Sequence, residues 1–177
     1  MATSNSKNFE PDVGEFIEEA YERCGLELRT GYDLKSAQRS LNLMLAEWAN
    51  RGLNQWTVLQ KTVAMVKDTV TYNIDSTNAT APIDVLDAFM RETTNNENTD
   101  LPMTRISRSQ YSSLPNKSTT AKPNQFTIDK QLSPTISVYP APDKSSTYTL
   151  VMNVLTRMDD ADVGANTMQM PYRFYPC

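Results

Sequence analysis

The hydrophobic period of this chain changes at Trp56, and that switch limits the folds open to it. Up to Trp56 the apolar residues recur at steps of three and four; beyond it they alternate. The first spacing lines one face of a helix and the second lines one face of a strand. The chain therefore reads as α+β, with the two kinds of structure segregated along the sequence.

Asp12 opens the first helix, with Glu15 at the spacing of a capping box. Val13, Phe16, Ile17, Ala20, Tyr21 and Cys24 form one apolar stripe, and Gly25 is the stop. The second helix starts at Asp33 and aligns Leu34, Ala37, Leu41, Met44, Leu45 and Trp48, with Gly52 ending it. Two amphipathic helices joined by a short turn predict an antiparallel hairpin. At helical spacing, Met44, Trp48 and the nearby Trp56 are read as core.

After Trp56, Thr57–Val66 and Thr69–Ile74 flank the polar pair Lys67-Asp68, which predicts a β-hairpin. A further strand is expected around Ile83–Arg91. Thr93–Asp100, TTNNENTD, has nothing to bury and is expected to be an exposed, mobile loop. From Leu101 to Pro142 the prolines at 102, 115, 123, 134, 140 and 142 mark segment edges. Between them lie a short helical turn at Ser107–Leu114 and strands at Gln125–Asp129 and Thr135–Tyr139. Pro140–Asp143 turns the chain and Thr147–Leu155 runs back as a third strand. The expected organisation is a flexible N-terminal tail at 1–12, a helical hairpin at 13–56, and an inserted antiparallel β-domain with a short helical insert at 57–157. A solvated linker at 158–177 then leads back toward the helices.

Leu, Ile, Val and Phe supply about a fifth of the residues, near the floor for chains that fold alone. A thin core of this kind suits a protomer stabilised by other chains. The net charge of −4 lacks the basic footprint that tight nucleic-acid binding requires. No apolar run approaches the ~20 residues needed to span a bilayer as a helix. Cys24 and Cys177 stand far apart and read as free thiols. Asn78-Ala-Thr and Asn116-Lys-Ser match the glycosylation sequon by chance, since no secretory signal accompanies them.

The chain has no histidine, and its five glycines leave little scope for a phosphate cradle. Asp160-x-Asp162-x-Gly164 has the wrong glycine offset for a calcium loop. Asp84 with Asp87, or Asp159 with Asp162, are the carboxylate pairs that a hydrolase would need, and paired acids on surfaces are usually only solvated. No catalytic, cofactor-binding or metal-ligating residues are expected. The sequence stops on a run of aromatics, Tyr172, Phe174 and Tyr175, as though a helix were about to begin. That pattern predicts a continuation beyond Cys177.

Taken in order, several segments resemble one family. They are Leu45-Ala-Glu-Trp-Ala-Asn-Arg-Gly52, Val70-Thr-Tyr-Asn-Ile74, Pro82-Ile-Asp-Val-Leu-Asp-Ala88 and Ile106-Ser-Arg-Ser-Gln-Tyr111. Pro115-Asn-Lys117, Ala121-Lys-Pro123, Ile136-Ser-Val-Tyr-Pro-Ala-Pro142 and Pro171-Tyr-Arg-Phe-Tyr-Pro176 follow. In this order they resemble the head-to-tail adaptor proteins of short-tailed phages, also called head–tail connectors. The likeness runs from about Val13 to Cys177. Ala121-Lys-Pro123 departs from the family's Gly-x-Pro, so that turn differs.

The resemblance implies a structural protein of the virion neck, assembled in the host cytoplasm, and no enzyme. It implies a ring of identical subunits, twelve by analogy, between the portal protein and the tail nozzle protein. DNA would pass through the ring without sequence-specific binding. The helices would form the ring wall, the β-domain would project toward the nozzle, and a C-terminal helix absent from this sequence would grip the portal. Glu18, Arg23, Arg39 and Glu47 on the outer helix faces are expected at subunit interfaces. The loop Asn95, Asn96, Glu97, Asn98 and Thr99 is expected to meet the nozzle. The alternatives are a β-rich host-recognition or carbohydrate-binding virion protein, with exposed aromatics in a groove, and a tail-associated hydrolase.

Overall fold

The computed structural model describes residues 9–27, 30–52, 55–74, 82–131 and 133–171. It is a mixed α+β protein that divides into two compact units. One takes the residues up to Trp56 together with those from Met158 onward, and the other is Thr57–Arg157.

In the first unit, α1 (Val13–Arg23) begins at the expected capping box. The Glu15 amide donates to Asp12 Oδ1 at 2.8 Å, and the Asp12 amide donates to Glu15 Oε2 at 3.1 Å. The helix ends where Gly25 takes φ +71°, which lets the Leu26 amide reach back to the Tyr21 carbonyl at 2.9 Å. Helix α2 (Gly31–Arg51) starts two residues before Asp33. Thr30 is the cap in place of the expected Asp33, which sits three positions in, its amide donating to the Thr30 hydroxyl. Val13, Ile17 and Ala161 are buried together, with Tyr21, Leu34, Ala37, Leu41 and Met168 packed against them.

Residues 158–171 correct the reading of a solvated linker. Met158 and Ala161 are buried, and Ala161 donates its amide to Asn42 Oδ1 at 2.8 Å. Gly164 and Asn166 accept from the amides of Gly14 and Val13 at 2.8 and 2.9 Å. Those amides belong to the first turn of α1, which has no partners within its own helix. The close approach favours glycine, because a Cβ on Gly14 would lie 3.2 Å from Asp12 Oδ1 and 3.3 Å from the Gly164 carbonyl oxygen, tighter than an ordinary contact. Asp12, placed in the expected tail, forms a β-bridge with Thr167. The aromatic run at 172–175 lies outside the described residues.

The second unit is built on β1 (Val58–Ala64), β2 (Thr71–Asn73), β3 (Pro82–Thr94), β4 (Glu97–Pro102) and β5 (Thr104–Arg105). Helix α3 (Arg108–Ser113), capped by Ser107, is followed by β6 (Thr120–Ala121), β7 (Gln125–Asp129), β8 (Thr135–Tyr139), β9 (Ala141–Pro142) and β10 (Tyr148–Thr156). One sheet has the order β1-β10-β3-β4 and a second has β2-β8-β7-β5, with β6 and β9 as a separate pair. The pairings are antiparallel except for the short contacts β5–β7 and β6–β9, which are parallel.

Two expectations about pairing are corrected. The segments around Lys67-Asp68 are strands but not a hairpin, since β1 pairs with β10 and β2 with β8. Tyr72 explains the crossing. Its hydroxyl donates to the Thr69 carbonyl at 2.8 Å and accepts from the Val66 amide at 3.1 Å, so the bend is held by a side chain instead of a ladder. The strand at Thr147–Leu155 forms, but between β1 and β3 instead of beside β7 and β8. It is one of the two inner strands of its sheet, almost wholly buried on both faces.

Both sheets share one apolar core. Val85, Met90, Leu150, Met152 and Val154 meet Phe126, Ile136 and Val138 in it. Large side chains buried this way contribute about 1.5–3 kcal/mol each, against about 0–1 for a surface ion pair, so packing holds the unit together. In β3 the register shifts where Val85 faces Val154 and Asp87 faces Asn153. The bulge absorbs Leu86, which stands exposed.

Candidate functional site

The helical unit presents an open groove of about 520 Å³. The small residues Ala20, Ala37 and Ser40 leave room between Phe16, Tyr21, Met44, Trp48, Trp56 and Met170. Trp56 is fixed by its indole N–H, which donates to the Gln169 carbonyl at 3.0 Å. This corrects the expectation that Met44, Trp48 and Trp56 are simply core. They line a recess open to solvent, and Met44 is 39% exposed. An apolar recess of this kind receives apolar side chains and supplies no acid–base chemistry.

The second surface is the hairpin of β3 and β4, and here the expected mobile loop is corrected. The strands pair through Thr94 and Glu97, so only Asn95 and Asn96 form the turn. Both have positive φ, +53° and +63°, the conformation a two-residue hairpin turn requires and asparagine tolerates. Glu97, Asn98 and Thr99 are strand residues, and every residue of β4 is exposed. Behind the turn Arg91 grips Asp100 with two hydrogen bonds, Nε to Oδ1 at 2.7 Å and Nη2 to Oδ2 at 2.8 Å. The hydrogen bonds from Arg91 hold the Asp100 carboxyl below the usual range. The Arg91 guanidinium also lies 5.6 Å from the centre of the Phe89 ring. The signal available in the sequence was the Asn-Asn pair itself.

The expected interface residues are on the helix surface. Glu18 and Arg39 are exposed. Arg23 pairs with Glu19 at 2.7 Å one turn earlier, and Glu47 pairs with Arg51 one turn later. The first carboxylate pair considered, Asp84 with Asp87, makes no acid–base couple. Asp84 is held by Arg105 at 3.1 Å and Lys130 at 3.0 Å. Burial works to raise its carboxyl, but the hydrogen bonds and charges of Lys130 and Arg105 outweigh it and hold the group below the usual range. Tyr72 and Tyr148 are buried in the β core, so they offer no exposed platform for a sugar ring. Among the described residues no three His, Cys, Asp or Glu side chains gather closely enough to hold a metal ion. Nor is any described helix long and apolar enough to cross a membrane.

A family model described as SU10 adaptor protein matches residues 12–174. The chain belongs to the SU10 adaptor protein family. It is a structural adaptor protein of a bacteriophage, as the order of its sequence segments suggested. The match begins at the capping Asp12 and takes in both units. No curated protein matches this SU10 adaptor.

Proposed function

We propose that this SU10 adaptor forms a ring of identical subunits between the portal and the tail nozzle and continues the DNA channel. The observation that carries the reading is the family match over residues 12–174. The ring is a heterologous assembly that closes on itself, with twelve copies by analogy to head-to-tail adaptors. Helices α1 and α2 run as an antiparallel pair, and Glu18, Arg23, Arg39 and Glu47 on their outer faces meet neighbouring subunits. The hairpin tip at Asn95–Thr99 meets the nozzle. A β-hairpin stiffened by a bidentate ion pair suits that task better than a mobile loop, because less ordering entropy is lost on docking.

The acidic balance of the chain, −4 overall, supports the channel role. A basic lumen would retain phosphates through counterion release, whereas a neutral or acidic one lets DNA slide. Assembly takes place in the host cytoplasm and the finished protein resides in the virion neck.

Size-exclusion chromatography with light scattering tests the proposal, using the full-length chain alone and with its portal protein. A closed ring, formed alone or on the portal, is the expected result. A strict monomer indifferent to the portal overturns it. Reversing charge at Glu18 and Glu47 together should weaken the ring without unfolding the subunit. On an assembled ring, a continuous band of Lys and Arg around the pore would exclude the proposed lumen.

A further inference from the structure

One sheet of the β unit is open at both sides. Its order is β1-β10-β3-β4, and no described strand lies beyond β1 or beyond β4. An open edge carries a row of backbone N–H and C=O groups that can pair with another chain. Every residue of β4 is exposed, as are Val58, Leu59, Gln60, Thr62 and Ala64 of β1. We propose that β4 of one copy pairs antiparallel with β1 of the next, so that the sheet continues from subunit to subunit. The main chain supplies the hydrogen bonds of such a contact and the side chains its register.

Three relationships carry the inference. The first is direction. Three successive antiparallel pairings leave β1 and β4 running opposite ways, as an antiparallel continuation needs. The second is side-chain matching. With Val58 opposite Pro102, residues 58–63 of the seven-residue β1 cover all six residues of β4. The exposed Leu59 then faces the exposed Leu101, so the apolar end of each edge meets the other. The third is charge. Lys61 is the single charged residue of β1, and those of β4 are Glu97 and Asp100. In this register no like charges meet, and Lys61 stands diagonal to Glu97. A strand paired with its own copy would instead gather like charges, Lys61 beside Lys61 or the carboxylates of both copies in one ladder. The turn at Asn95-Asn96 stays outside the pairing. A contact between two different edges is head-to-tail, the kind that can close into a ring. The inference deepens the proposed ring and rests on it only for closure.

Cross-strand disulfides test the pairing in the full chain assembled with its portal, with Cys24→Ser and Cys177→Ser removing the native thiols. Opposed residues of an antiparallel pair alternate between close and wider spacing, so two pairs are tried. They are Leu59→Cys/Leu101→Cys and Thr62→Cys/Asn98→Cys. Under mild oxidation at least one double variant should give a ladder of covalent oligomers on a non-reducing gel. The single-cysteine chains should give none. Leu59→Cys/Glu97→Cys, displaced by four residues or about 13 Å along the strand, should give none either. Rings that assemble without a ladder from either opposed pair overturn the edge pairing and leave the ring standing. Dimers from a single-cysteine chain, or a ladder from the displaced pair as strong as from the opposed ones, overturn it as well. A chain that stays monomeric with its portal overturns the edge pairing and the ring together.

Discussion

Thr57 and Thr156 exchange hydrogen bonds where the chain enters and leaves the β unit. The Thr57 hydroxyl donates to the Thr156 carbonyl at 2.7 Å, and the Thr156 hydroxyl donates to the Thr57 carbonyl at 2.8 Å. Both residues are buried. The pair fastens the base of an inserted domain, since opening it leaves two carbonyls without these donors in an apolar setting. Thr57→Val should therefore cost about 1–3 kcal/mol of stability, read as a lower midpoint of denaturant unfolding. Thr57→Ser keeps the hydroxyl and should cost much less. Equal losses in the two variants would show that the methyl group matters and the hydrogen bond does not.

The turn at Asn95-Asn96 makes a prediction specific to backbone conformation. A β-branched side chain at Asn96 is strained at φ +63°, and Asn96→Val should cost about 1–2 kcal/mol. Asn96→Gly should be neutral or stabilising, because glycine adopts that conformation without penalty. Amide hydrogen exchange at Thr93–Asn98 should quicken in the valine variant and stay slow in the glycine variant. Acceleration in both would mean that the turn does not hold the hairpin.

Asp84 sets an acid limit on the β unit. Its folded carboxyl titrates below the ordinary value, so the stability it contributes is present above about pH 4 and is lost as pH falls through the depressed value. Asp84→Asn leaves Arg105 and Lys130 without their shared anion. The variant should be less stable than the native chain at pH 7, and the gap should close as the solution is acidified below pH ~4. Thermal melts across that range supply the check. A gap that persists at the lowest pH would assign the effect to packing instead of charge.

Tyr148 predicts the opposite limit. Its hydroxyl and Asp143 Oδ1 are both buried without a hydrogen-bond partner among the described residues. Burial first, then Asp143 and Glu92, push the phenol up to about 12. The folded chain therefore holds this proton more tightly than the unfolded one, and stability falls as pH rises from about 10 toward 12. Tyr148→Phe removes that loss. At neutral pH the substitution should be neutral or stabilising by up to ~1 kcal/mol, since it deletes a hydroxyl that gains nothing from burial. A large loss at pH 7 would reveal a partner for the hydroxyl.

Local chemistry was enough to read several elements from residue order. The Asp12–Glu15 capping box, the glycine stops at Gly25 and Gly52, and the strand at Tyr148–Thr156 each depend on neighbours a few positions apart. Caps and periodicity act over one or two turns, so a linear reading captures them. The order of segments also pointed to the family.

Tertiary structure alone decided which strand lies beside which. An alternating pattern marks a buried face but names no partner, so the sequence predicts a hairpin of β1 and β2, whereas β1 pairs with β10 and β2 with β8. The same holds for the return of residues 158–171 onto α1, where the carbonyls of Gly164 and Asn166 meet amides some 150 positions away. It holds also for Thr57 and Thr156, 99 positions apart. A residue's own chemistry determines what kind of contact it needs. Which residue supplies that contact depends on how distant surfaces compete to exclude water, and only the folded chain settles that competition.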